Sequence, residues 1–319
     1  MPEEFHADPD ALVGLAHEAL PRARSVSIKA ASCGRAVVVY RAMVDGVRYY
    51  LRLAEEPGQD LTTDALILER LRALDVHVPG VVAVSAASAA FPRSWMIMTE
   101  VPGHSIAEGG TDGEARRAAI AAGRDAAVMN SVPVSGFGWL RRDGSAQPTG
   151  ELPSYRQFVA SYLPAPWPGR LVDLFDHRQL DALLALVTAE QDRPLRAGRL
   201  VHGDLDVTHI YSHSGRYSGI IDFGEMRGGD PYFDLAHFLL HDGETRPARL
   251  FSYFLSGYRQ VNRLSNGCSH EIRVSAILLG LRQLSRWLSP ERGYSLSHQL
   301  VQRRFAELSN LIDGRPAHP

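Results

Sequence analysis

The rhythm of apolar and polar residues changes along the chain and divides it into two regions. Between residues 25 and 101 the period is short. SVSIKAAS, RAVVVYRAMV and VRYYLRLA are rich in Val, Ile and Tyr and read as β-strands. The second and third are joined by Asp45-Gly46, a tight-hairpin signal because both positions of such a turn favour φ > 0. The first two are separated by Ser32-Cys33-Gly34-Arg35, a short loop with one glycine. Leu66, Ile67, Leu71 and Leu74 then recur at helical spacing within residues 62–75, with Thr62 or Thr63 available as N-cap. VVAVSAAS and SWMIMTEV add two more strands, turned at Pro92-Arg93, and a short amphipathic helix over 9–20 precedes them all.

Beyond Pro102-Gly103 the period lengthens. Residues 112–130 are alanine-rich and helical, 131–153 read as a loop containing Gly, Pro and Ser, and helices follow over 154–163 and 173–190. RLVHGDLDVTHIYSHSGRYSGIIDFGEMRGGD reads as two short strand pairs with loops between them, and the chain from Tyr232 onward as amphipathic helices. The expected fold class is α+β: a strand-rich lobe over residues 1–102, a short hinge, then a mainly helical lobe over residues 103–319.

Composition narrows the function classes. With 319 residues, 45% hydrophobic and 22% charged, the chain is that of a globular protein. A net charge of −2 supplies no strong counter-charge for nucleic acid or an anionic membrane, so neither is expected as partner. Cys33 and Cys268 are far apart and form no metal-ligand spacing. The acidic N-terminus lacks a signal pattern, and no apolar run approaches the roughly 20 residues that span a bilayer. The expectation is a cytoplasmic protein, taken as a monomer by default. Lys29 is the single lysine, and no Gly-Lys-Ser or Gly-Lys-Thr is present, which removes the phosphate-binding P-loop.

The chemistry concentrates in His202-Gly203-Asp204-Leu205-Asp206-Val207-Thr208-His209 and Ile220-Ile221-Asp222-Phe223-Gly224-Glu225. Asp204 and Asp222 each follow an apolar, strand-like run, so the two carboxylates can converge from adjacent strand ends. Phosphoryl transfer to an alcohol needs one carboxylate to orient the hydroxyl and take its proton, and another to hold the metal on the phosphates. A hard oxygen ligand such as Asp222 suits Mg²⁺.

HGDLDVTHI followed by IIDFGEMRGGDPYFDLAHF resembles the signature of the aminoglycoside phosphotransferase family, which includes macrolide and hygromycin kinases and shares the protein-kinase-like fold. SVPVSGFGWL is similar to a segment before the substrate lobe of hygromycin kinases. The resemblance implies Asp204 as catalytic base and Asp222 as principal metal ligand, with His202 and Asp234 bracing the loop and helix. Asp230 in Gly-Asp-Pro is then structural. His209 stands at the family's metal-binding Asn, and imidazole is a poorer magnesium ligand than an amide oxygen. Asp206 stands where the family often has His. In the first lobe, Arg52 occupies the place of the phosphate-contacting Lys or Arg, with Glu69 as its ion-pair partner. Glu100 and Val101 fall at the hinge, where backbone groups bind the nucleotide base, and Ser32 and Gly34 belong to the loop over the phosphates. The implied activity moves the γ-phosphate of ATP or GTP, with Mg²⁺, to a hydroxyl of a small molecule, an antibiotic being the leading class. A metabolite kinase of the same fold and a nucleotide-binding pseudokinase are the alternatives.

Other side chains admit plainer readings. His237 and His241 share a helical face, but the zinc-protease pattern needs Glu after the first His and Phe238 is there, so core or interface histidines are expected. Glu225, Asp242 and Glu244 could line the pocket of a cationic substrate or be ordinary solvated charges. The near-neutral net charge does not favour a polycationic aminoglycoside.

Overall fold

Asp45 and Gly46 both take positive φ, 49° and 82°, and the hairpin they close aligns Val44 with Val47 and Val39 with Arg52. In the computed structural model, which describes residues 7–31, 39–163, 166–194 and 198–315, this hairpin is the centre of the first lobe. Strands β1 (Val26–Ala30), β2 (Val39–Val44), β3 (Val47–Leu53), β4 (Val81–Ser85) and β5 (Trp95–Thr99) form an antiparallel sheet in the order β1-β2-β3-β5-β4. Alternation along β3 gives its faces different work. Leu51 and Leu53 pack with Leu12 and Leu15 of α1 (Pro9–Ala19) and with Trp95 and Ile97. Arg52, between them, faces the other side and α2 (Thr62–Ala73).

The start of α2 differs from the threonine cap expected. Thr62 is already helical, and its N–H is taken by the Asp60 carboxylate at 2.9 Å. Thr63 is buried and its hydroxyl accepts the Gly144 N–H at 3.1 Å, which ties the helix to the second lobe.

The second lobe begins with β6 (His104–Ser105) and α3 (Asp112–Met129), which opens on a capping box between Thr111 and Glu114. The alanine face of α3 lies against α7 (Phe251–Val261), with Gly123 and Gly257 at the crossing. A Cβ at Gly257 would fall 1.8 Å from the Ile120 carbonyl oxygen, so only glycine permits this approach.

Residues 131–153 carry more order than the loop expected. They contain β7 (Pro133–Val134), β8 (Phe137–Leu140) and β9 (Gly150–Leu152), whose partners include strands far along the chain and leave no local period. Helices α4 (Tyr155–Ala160) and α5 (His177–Gln191) follow; α5 begins where Asp176 caps it by accepting the Gln179 N–H at 2.8 Å. The two expected strand pairs are present and nested. β10 (Gly198–Val201) pairs with β13 (Arg227–Gly229), and between them lies the hairpin of β11 (Ile210–His213) and β12 (Arg216–Ile220). The remainder is helical as expected: α6 (Phe233–His241), α7, α8 (Cys268–Trp287) and α9 (Gln299–Ile312). One apolar core runs from Ile67, Leu68 and Leu71 of α2 through Phe137 and Phe233 to Leu308 of α9. Among the described residues, no helix is long and apolar enough to cross a membrane.

Candidate active site

Nesting one strand pair inside another leaves two loops at the same end. Asp204 sits in the loop from β10 to β11, and Asp222 in the loop from β12 to β13. His202 fastens these loops together. Its buried ring donates from Nε2 to the Ile221 carbonyl at 2.9 Å and accepts the Asp204 N–H on Nδ1 at 3.3 Å. That pattern requires the neutral tautomer, and burial, aided by the charge of His209, lowers the pKa of His202 accordingly. Asp234, at the start of α6, accepts the backbone N–H groups of His202 and Gly203 at 2.9 and 3.0 Å. The bracing expected of His202 and Asp234 is the observed geometry. Gly203 has φ 89°, and a Cβ there would lie 2.1 Å from the Glu225 carbonyl oxygen, so the turn needs glycine.

The Asp204 carboxylate lies 3.3 Å from Nε2 of His237, whose Nδ1 faces the Leu205 carbonyl at 3.2 Å. Both ring nitrogens therefore point at acceptors, the arrangement of an imidazolium. Burial opposes charge on each group. The hydrogen bond and mutual attraction overcome it, holding the Asp204 pKa below the carboxylate range and raising that of His237. His241 stacks on His237 with ring centroids 4.2 Å apart. Its Nδ1 donates to the His237 carbonyl at 2.9 Å and its Nε2 lies 3.1 Å from the Gln283 amide nitrogen. Burial, first, and the charge of His237 push its pKa well down. All four nitrogens of this pair are occupied by hydrogen-bond partners, as core histidines require.

Asp222 adopts the left-handed conformation, φ 64° and ψ 65°, which a non-glycine residue rarely occupies without a local reason. Its side chain is 63% exposed. One oxygen receives the Gly224 N–H at 3.4 Å, and the other is 3.8 Å from Nε2 of His209. The Nδ1 of His209 donates to the Asp204 carbonyl at 2.6 Å, which turns its Nε2 toward Asp222. The imidazole thus bridges the two aspartate loops. Asp206 turns back to accept the Thr208 N–H at 2.7 Å. An open carboxylate fits an ion that keeps waters and phosphate oxygens as its remaining ligands, the habit of Mg²⁺, and the imidazole nitrogen beside it is the poorer ligand. Among the described residues, no cluster of three or more His, Cys, Asp or Glu forms a cage of protein ligands alone.

The first lobe supplies Arg52, and here the expected partner is wrong. Arg52 pairs with Asp64 at 3.5 Å and approaches Glu55 at 3.9 Å, while Glu69 is exposed on α2 and makes no ion pair with it. Five residues of helix turn Glu69 about 140° away from Asp64. Asp64 shares its face with Ile67, Leu68 and Leu71, the face that is buried. Arg142 completes the arrangement. It binds Asp64 through Nε at 2.9 and 3.2 Å and donates from its terminal nitrogen to the Gly224 carbonyl at 2.8 Å. Sequence reasoning misses both as site residues: Asp64 looks like a helix-start acid until its apolar face is considered, and Arg142 lies in a stretch read as loop. At the hinge, Glu100 accepts from Arg48 and Val101 is buried against Gly219. Ser32 and Gly34 lie outside the described residues.

Of the three acids weighed for a cationic pocket, two have structural duties. Asp242 is buried and accepts the Leu250 and Phe251 N–H groups at the start of α7, at 2.8 and 3.2 Å. Glu244 pairs with Arg304 at 2.9 Å. Glu225 alone faces the cavity beside Asp204, where it pairs with Arg227 and accepts the Trp139 indole N–H at 3.0 Å. Asp230 is buried, accepting the Tyr232 N–H at 2.8 Å and the Ser275 hydroxyl at 3.0 Å, a structural position as expected.

The sequence model of the phosphotransferase enzyme family, APH, matches residues 27–265. Among solved structures, aminoglycoside phosphotransferase APH(4)-Ia superposes with a TM-score of 0.66 at 17% identity, covering 98% of this chain and 100% of that one. The amicoumacin kinase hAmiN, in complex with AMP-PNP, Ca²⁺ and Ami, gives 0.61 at 17% identity over 98% and 96% of the two chains. The GDP complex of aminoglycoside 2'-phosphotransferase-IIIa gives 0.60 at 18% identity over 97% and 98%. These similarities establish the two-lobed, protein-kinase-like fold. No curated protein sequence matches.

Proposed function

The chain belongs to the phosphotransferase enzyme family, and we propose that it transfers the γ-phosphate of ATP or GTP to a hydroxyl group of a small molecule. In this reading residues 1–102 form the nucleotide-binding lobe and residues 103–319 the lobe that carries Asp204 and the acceptor. The observation that carries it is the pairing of Asp204 with His237 beside a cavity, one imidazole away from an open Asp222 carboxylate.

Each residue then has a task its surroundings suit. Asp204, kept ionised, orients the acceptor hydroxyl and takes its proton late in a loose transition state. Asp222, with His209 behind it, would hold magnesium, which when bound neutralises charge on the phosphate oxygens. Arg52, steadied by Asp64, brings a fixed positive charge toward the phosphates. Glu100 and Val101 offer backbone groups to the base.

Three structural relatives are antibiotic kinases by name, which supports an antibiotic as acceptor. A metabolite kinase of this fold would use the same parts. Asp204→Ala should lower turnover by orders of magnitude while nucleotide binding, read by thermal shift, stays intact. Unchanged turnover in that variant refutes the assigned base. Nucleotide binding without turnover on any acceptor would favour a pseudokinase instead.

A further inference from the structure

Two adjoining cavities, of about 420 and 220 Å³, share Arg227, Arg282 and Arg286 in their walls. The smaller also includes Asp204 and His237. Its charges can be paired off one by one. Asp204 is matched by His237 and Glu225 by Arg227. Arg282 and Arg286, one turn apart on α8, remain: among the described residues neither has a carboxylate within ion-pair distance. Glu151 and Glu291 line only the larger cavity and make no ion pair with either arginine.

Arg282 is also held in place. Its guanidinium lies over the Trp139 ring at 5.1 Å and the Tyr162 ring at 5.0 Å, two cation–π contacts that restrain the side chain. Burial lowers its pKa, and the neighbouring charges of Arg227 and Arg286 press in the same direction. A guanidinium stays protonated in proteins, so with Glu225 paired to Arg227 the three arginines keep an excess of positive charge. A planar, preoriented fork next to a second free guanidinium is the geometry that binds a carboxylate or phosphate with two parallel hydrogen bonds. An acidic pocket for a polycation would present the opposite sign.

We propose that the acceptor carries an anionic group, a carboxylate or a phosphate, bound by Arg282 and Arg286, with its body against the Trp139–Tyr162 wall and its hydroxyl turned to Asp204. This deepens the phosphotransferase reading and rests on it for the role of Asp204. The charge complementarity of the cavity does not depend on that role.

The test uses the full chain with Mg-ATP and Mg-GTP and four compounds that share a benzylic hydroxyl: para-hydroxymethyl benzoate, the corresponding phenyl phosphate, the benzamide and the benzylamine. Product is read by mass spectrometry. One of the two anions should be turned over best and the benzylamine worst, the better anion telling carboxylate from phosphate. Arg286→Gln, exposed and without packing cost, and Arg282→Gln should each raise KM for that anion about 10- to 100-fold, leaving the nucleotide KM unchanged. Preference for the amide or amine, or a loss confined to the nucleotide KM, overturns the proposal. Should no compound be turned over, isothermal titration of benzoate and phenyl phosphate into the nucleotide-loaded protein still decides the anion site. Binding lost in both arginine variants upholds it, and binding no stronger than that of the benzamide refutes it. Failure of turnover alone counts against the phosphotransferase reading.

Discussion

Replacing Asp64 with asparagine preserves the shape of a side chain that is only 2% exposed and removes the one negative charge shared by Arg52 and Arg142. Both guanidiniums are themselves largely buried, with 8% and 11% of their side chains exposed. Breaking a buried pair by removing one partner costs about 3–5 kcal/mol, because the remaining charge cannot return to water. Arg142 keeps its bond to the Gly224 carbonyl and Arg52 keeps Glu55 nearby, which argues for the lower end, about 3 kcal/mol. In a chain of this length that loss lowers Tm by about 5 °C. The same change frees Arg52 and loosens the Asp222 loop, which Arg142 holds through Gly224. Displacement of a positioning group by an ångström costs on the order of 100-fold in rate, so kcat should fall about 10- to 100-fold.

The control is Glu69→Gln, on the exposed side of the same helix. Substitutions at such sites change stability by less than about 0.5 kcal/mol. Thermal unfolding followed by circular dichroism, with nucleotide turnover measured on both variants, separates the two positions. Equal effects at Asp64 and Glu69, or a silent Asp64→Asn, would refute the assignment of the buried acid as the partner of Arg52.

Three further outcomes follow from the same geometry. His237→Gln removes the group that keeps Asp204 ionised against its burial, so the acid limb of kcat/KM should move to higher pH, and an unmoved limb would show that the pair does not set the base. Asp230 has its pKa raised to about 6 by burial, so the folded state holds a proton that the unfolded chain has already lost above about pH 4; stability should decline by about 3 kcal/mol as pH rises through that window, and Asp230→Asn should flatten the decline in urea unfolding. Gly257→Ala drives a methyl into the backbone of α3 and should cost at least about 1–3 kcal/mol by thermal unfolding, whereas accommodation without loss would mean that the crossing of α3 and α7 is not close-packed.

The first lobe was legible because its signals are local: a turn dipeptide fixes the β2–β3 hairpin, and alternation tells Leu51 and Leu53 from Arg52. The nested strand pairs around Asp204 and Asp222 were legible for another reason, since short apolar runs before each carboxylate leave few ways to fold back. What stayed hidden has its partners far along the chain. β7 and β8 carry no period of their own because β10 and β13, tens of residues later, supply their hydrogen bonds.

The partner of Arg52 illustrates the same limit at one residue. Asp64 and Glu69 are both acids on α2, and family resemblance favours the second by position. Burial discriminates them, and the signal was present: 64, 67, 68 and 71 form one helical face whose other members are all apolar. A carboxylate on an otherwise apolar face must find a cation, since an unpaired buried charge is too costly to keep. The cavity arginines lay beyond that kind of inference. Arg282 and Arg286 sit on α8, close to 80 residues after Asp204, and look like ordinary polar positions of an amphipathic helix. Only the convergence of α8 with the Asp204 loop reveals that Asp204 and Glu225 have already found cations, leaving the two arginines to whatever molecule enters.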